Sequence, residues 1–163
     1  MHHRNFSGQI IGPDARISVS EFAKIFPNLG HKYPGGWDWL EAKLDEVRFR
    51  KANLWLSMVD DRIAALAIET MKGAHRTKLS TFVVAPEFRR KGIGGALLES
   101  LQTRWTDFGI DWVTVTIDET DHETHMFFEQ NQFSPVDSVL IPYGSRCDGI
   151  MTWSPDSKRN GKA

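Results

Sequence analysis

Apolar residues recur along this chain at two spacings, one helical and one alternating. Ser18-Val19-Ser20-Glu21 forms a capping box, and Phe22, Ile25, Phe26 and Leu29 follow it at helical intervals, which predicts a short amphipathic helix over 18–29 that Pro27 disturbs. After the turn His31-Lys32-Tyr33-Pro34-Gly35-Gly36, the residues Trp37, Leu40, Leu44 and Val47 trace one face of a second helix whose other face is charged. Residues 53–59 and 62–71 are apolar segments joined at Asp60-Asp61, a hairpin pattern, and a third strand at about 77–85 follows Lys72-Gly73. Three adjacent antiparallel strands are expected. Ile93, Leu97, Leu101, Trp105 and Phe108 then mark a helix ending near Gly109, and Trp112 to Ile117 alternates as a strand, which completes a crossover unit. An acidic turn, a helix over 122–131 and two strands, 134–142 and 147–153, around Pro142-Tyr143-Gly144 close the pattern.

Composition narrows the class. At 163 residues the chain fits one domain, expected over 1–153, with residues 154–163 as a disordered tail. The formal charge of −1 gives no global basic field, so binding to nucleic acid or to a membrane surface is not expected. An aminoacyl-tRNA acceptor would need a local patch, for which Lys32, Lys43, Arg48, Arg50 and Lys51 offer a modest basic rim. Cys147 is the only cysteine, which excludes an internal disulfide and any multi-thiolate metal site. Apolar runs such as Ile63 to Ile68 are too short to span a bilayer, and the first residues lack an apolar signal core, so a soluble cytoplasmic protein is expected.

The richest chemistry lies where the third strand meets the helix at Ile93. Lys78 to Leu98 reads as strand, short basic glycine loop and helix, with Arg89, Arg90 and Lys91 at the mouth. Glycines let a backbone approach a ligand closely, and a helix starting near Gly92 would aim unpaired N–H groups at an anion. Two common nucleotide loops fail on spacing. No Gly-Lys-Ser or Gly-Lys-Thr is present for a P-loop, and Leu97 stands where a dinucleotide fingerprint needs its third glycine after Gly92 and Gly94. What remains is V-x-P-x-x-R-x-x-G-I-G-x-x-L-L, which closely resembles the acyl-CoA pyrophosphate loop of the GNAT N-acetyltransferase superfamily. An ordinary strand-to-helix turn with solvated cations is the alternative. Phe127-Phe128-Glu129-Gln130-Asn131-Gln132-Phe133 also resembles that family's F-Y-E-K-x-G-F signature, Asp148-Gly149-Ile150-Met151 its closing strand, and the element order is the family's order.

The resemblance implies a mixed α/β fold. Its central sheet would have about six to seven strands, mostly antiparallel, with flanking helices and a splay between the fourth and fifth strands where coenzyme A binds. It implies acetyl-CoA or another acyl-CoA as co-substrate, without a metal. By position, Phe82, Val83 and Val84 would bind the pantetheine arm through main-chain groups, and Arg89, Arg90, Lys91, Gly92, Ile93, Gly94, Gly95 and Ala96 the pyrophosphate, with Phe128 beside the cofactor. The implied activity is transfer of an acyl group to a primary amine on a small molecule or a peptide; a homodimer is compatible with the family.

The chain departs from the family at three positions. Phe128 stands at the usual tyrosine acid and cannot donate a proton, Asp121 at a frequent asparagine, and Lys78 at the glutamate base of some members. Coenzyme A thiolate is a good leaving group, so transfer by positioning remains open. Substitutes are expected in Asp118-Glu119-Thr120-Asp121-His122-Glu123-Thr124-His125, with its four carboxylates and two imidazoles: His122 or His125 would relay the proton and Asp118 attract the cationic amine. Alternatively, these acids serve only the helix dipole and the histidines are solvated. His122 and His125 stand three apart rather than at zincin spacing, which argues against zinc. Glu69 is a further candidate base, or else a surface carboxylate. Tyr33, Trp37 and Tyr143 fall where the family binds its acceptor. The rival function is a catalytically weak or inactive acyl-CoA-binding sensor or interaction module, motivated by Phe128 and Lys78.

Overall fold

The computed structural model describes residues 8–28, 35–143 and 146–156, with backbone alone for 137–143 and 146. In chain order the elements are β1 (Gln9–Ile11), α1 (Val19–Ile25), α2 (Gly36–Arg48), β2 (Ala52–Val59), β3 (Arg62–Met71) and β4 (Arg76–Val84). A single 3₁₀ turn, Pro86–Phe88, leads to α3 (Ile93–Asp107), β5 (Trp112–Asp118), α4 (His122–Gln130), β6 (Ser134–Tyr143) and β7 (Arg146–Trp153). The strands form one seven-stranded sheet in the order β1-β2-β3-β4-β5-β7-β6, antiparallel except where β4 runs parallel to β5. Mixed α/β architecture with a mostly antiparallel sheet follows the sequence expectation; β1 adds a strand that the pattern did not predict. Three residues are too few to display alternation, and β1 is recognised only by its pairing, Gln9↔Met58 to Ile11↔Leu56.

Local chemistry explains most boundaries. The Ser18 hydroxyl accepts the Glu21 amide at 3.0 Å, the capping bond foreseen, yet α1 ends at Ile25, four residues short of the expected end. Phe26 precedes Pro27 and is driven out of helical geometry, with φ −129° and ψ 66°. Asp60 and Asp61 both have positive φ, 50° and 58°, as a two-residue hairpin of the primed type requires. Helix α3 stops in a Schellman motif: Gly109 sits at φ 72°, its N–H bonds Thr106 O, and the N–H of Ile110 reaches Trp105 O at 2.8 Å.

The chain divides into two compact units whose segments interleave, residues 1–69 with 81–97 and residues 70–80 with 98–163. In the first, β3 is buried at every position from Ala64 to Ile68, and Phe22 lies 5.2 Å from Phe26 between ring centroids. In the second, Trp105 and Trp153, both 2 % exposed or less, stand 5.3 Å apart, and Phe128 packs edge-on against Phe127 and Phe133. Among the described residues, no helix is long and apolar enough to cross a membrane. Most of the expected tail, from residue 157 onward, lies outside the described residues.

Candidate active site

The strand, loop and helix foreseen around Gly92 are formed. The parallel ladder joins Arg76, Thr77 and Lys78 to Trp112, Val113 and Thr114, at the start of β4, and Phe82 to Val84 form the strand's far end. That end is out of step with β3. The Lys72 N–H bonds Arg76 O and the Ala85 N–H bonds Ala64 O; Ala64 to Lys72 is eight positions, Arg76 to Ala85 nine, so β4 carries one extra residue, a β-bulge. A bulge re-aims backbone groups, and Phe82, Val83 and Val84 are each half-buried rather than alternating.

Beyond the 3₁₀ turn, Arg90 adopts a left-handed conformation at φ 60° and Gly92 another at φ 78°. The Gly92 carbonyl accepts the Ala96 N–H at 3.0 Å, the first intrahelical bond of α3, which leaves the amides of Ile93, Gly94 and Gly95 without a carbonyl one turn back. A Cβ built on Gly92 would meet no atom within 4 Å. The glycine is therefore set by backbone conformation, and the space above it is open for a ligand group. Arg89, Arg90 and Lys91 are all exposed; Arg89 Nε donates to Val84 O at 3.2 Å, which ties its guanidinium to the end of the strand.

Glu69 sits in the same unit, and it is buried at 3 % exposure rather than on the surface. Its Oε1 accepts from Asn53 Nδ2 at 2.9 Å and from Trp55 Nε1 at 3.2 Å. Trp55 in turn lies beneath Gly12, where an added Cβ would come within 2.6 Å of the indole. Sequence reading missed Asn53 and Trp55 because they lie 16 and 14 residues from Glu69 and meet it only across the sheet.

In the second unit the acidic turn is organised by its own side chains. Asp118 Oδ1 accepts both the amide and the hydroxyl of Thr120, at 3.0 and 2.9 Å, and Asp121 caps α4 by accepting the amide and hydroxyl of Thr124, at 3.1 and 2.7 Å. Asp118 stands directly opposite Asp148 in the β5–β7 ladder, and Asp148 is 3 % exposed. His125 is half-buried with Nε2 3.2 Å from Asp118 O, and its ring lies 3.7 Å from the Cβ position of Gly149. A carbonyl only accepts, so Nε2 carries the proton and Nδ1 is the basic nitrogen. His122 is exposed, and its amide bonds Thr120 O. Phe128 is 2 % exposed within its aromatic cluster. Trp37 is half-buried in the first turn of α2. Tyr33 and the side chain of Tyr143 lie outside the described residues; the Tyr143 backbone pairs with Arg146.

The profile of the acetyltransferase (GNAT) domain family matches residues 40–146. The chain belongs to this family. Solved structures with the same fold include a GNAT family acetyltransferase from Elizabethkingia anophelis with acetyl-CoA bound, 14 % identical over 90 % of this chain and 97 % of the other at a TM-score of 0.68. A GNAT family protein from Desulfovibrio desulfuricans is 16 % identical over 91 % and 99 %, with a TM-score of 0.75. The ribosomal-protein-S18-alanine N-acetyltransferase of Escherichia coli is 16 % identical over 90 % and 94 %, with a TM-score of 0.68. No curated protein matches the chain significantly.

Three exposed cations, first-turn amides with no intrahelical carbonyl to bond and open space above Gly92 lie together at this loop. Among the described residues, no group of three or more His, Cys, Asp or Glu is arranged to hold a metal ion.

Proposed function

We propose that this GNAT protein is an N-acetyltransferase that moves an acetyl group from acetyl-CoA to a primary amine, with His125 as proton acceptor. The observation that carries the reading is the strand end at Phe82–Val84 leading through the left-handed Gly92 into the unbonded amides of α3. Arg89 to Ala96 would hold the diphosphate, and the main chain of Phe82, Val83 and Val84 the pantetheine arm. When bound, acetyl-CoA supplies the acetyl group as a thioester.

An N–H near Val83 or Val84 would polarise the thioester carbonyl. The ammonium first gives one proton to His125 Nδ1; the freed nitrogen lone pair then forms the new bond to the acetyl carbon, the carbon–sulfur bond breaks, and the second proton leaving the nitrogen passes to solvent. Phe128 carries no hydroxyl, so the thiolate takes its proton from solvent. His125 is preferred over the other two candidate bases on geometry. Its tautomer is fixed by Asp118 O, whereas Glu69 Oε1 is already committed to two N–H donors and His122 is held only through its backbone. Asp118 is proposed to receive a cationic acceptor, and Trp37, Tyr33 and Tyr143 are separate candidates for acceptor binding by the family resemblance alone. Glu119, Asp121 and Glu123, the neighbours of Asp118, favour a positively charged amine over an anionic one.

Titration calorimetry with acetyl-CoA and CoA, followed by thiol release against small amines and peptides with a free N-terminal alanine, tests this reading. Binding with amine-dependent release is expected. Binding without release across the panel would favour the sensor, and absence of binding would remove the loop assignment.

A further inference from the structure

We propose that Arg62 is a positioning residue of the acyl-CoA loop, neutralising the loop's own carboxylate, Glu87, so that the loop stays a strong anion receptor. The inference rests on the reading of that loop as the phosphate cradle. Arg62 opens β3, 25 residues before Glu87, and its Nη2 lies 3.0 Å from Glu87 Oε1. The same guanidinium stands 5.1 Å from the centroid of the Phe88 ring, and Lys91 Nζ stands 5.7 Å from that centroid. Phe88 is 8 % exposed, so its ring is a fixed platform that sets where both cations can stand.

Charge explains why this matters. Between Pro86 and Gly94 the loop carries Glu87 against Arg89, Arg90 and Lys91, a net of +2. Arg62 raises the local sum to +3 and occupies the carboxylate that would otherwise repel a diphosphate. Both partners of the pair are well exposed, at 63 % and 50 %, and exposed pairs contribute little to stability, so the effect should fall on binding rather than on folding.

The test measures CoA affinity by calorimetry at low and high salt for the parent protein, Arg62→Ala, Arg62→Lys, Glu87→Gln and the Arg62→Ala/Glu87→Gln double variant, with melting temperatures and steady-state kinetics alongside. Arg62→Ala should weaken CoA binding by about threefold to tenfold at low salt and by less at high salt, as loss of a rim charge does. Arg62→Lys should keep most of the affinity. Glu87→Gln should bind at least as well as the parent, and the double variant should recover most of the loss, with kcat at saturating acyl-CoA unchanged throughout. A parent that binds CoA while Arg62→Ala binds it equally well overturns the Arg62 role alone. A loss that the double variant does not recover overturns the neutralisation of Glu87. A parent that fails to bind CoA overturns the loop reading itself.

Discussion

Gly92 meets two separate requirements. Its φ of 78° disfavours any residue with a Cβ, while the direction that Cβ would take is open. Gly92→Ala should therefore cost only about 1–2 kcal/mol, the penalty of a left-handed residue, and still fold. Gly92→Glu should fold too, but raise the dissociation constant for CoA more than tenfold, since a carboxylate would stand where the diphosphate is proposed; calorimetry beside thermal melting separates the two effects. His125 permits an equally sharp expectation. His125→Gln should keep CoA affinity but lower kcat by about 10²–10⁴, the usual worth of a proton acceptor. Unchanged kcat in that variant would end the role. The candidates themselves could be read from the sequence, because loop glycines, cations and a histidine beside acids declare their chemistry by type and spacing. The environment of Glu69 could not, since its burial and its bonds to Asn53 and Trp55 arise from strands meeting across the sheet.

Helices and strands were legible to the extent that their signals are local. The cap at Ser18, the primed turn at Asp60-Asp61 and the stop at Gly109 each depend on a few neighbouring residues. The early end of α1 is local too, set by the constraint Pro27 imposes on Phe26. Strand β1 and the bulge in β4 had no such signal, because each is defined only by its partner strand. Asp121 caps α4, bonding both the amide and the hydroxyl of Thr124. Asp121→Ala should lower stability by about 0.5–2 kcal/mol in denaturant melts, while Asp121→Ser, which still offers an oxygen to the Thr124 amide, should lose less. Equal losses for the two would show that the cap bond is not the cause.

Across the whole chain, β3, β4 and α3 each begin in one compact unit and end in the other. Elements shared in this way cannot unfold by halves without breaking a strand or a helix, so one cooperative thermal transition is expected by calorimetry and by circular dichroism. Saturating acetyl-CoA should move that single transition upward, by the equivalent of about 2.7 kcal/mol at a hundred times the dissociation constant. Two transitions, with only one of them ligand-sensitive, would contradict this. The sequence by itself determined the fold class, the order of the main elements and the strand-loop-helix motif, because periodicity, turn chemistry and motif spacing are properties of short stretches. Tertiary structure alone decided that Glu69 is buried beneath two N–H donors, that His125 is held by Asp118 O in one tautomer, and that Arg62 reaches Glu87 and Phe88. Those facts depend on which distant segments meet, and one shifted residue in a ladder, such as the bulge in β4, is enough to change them.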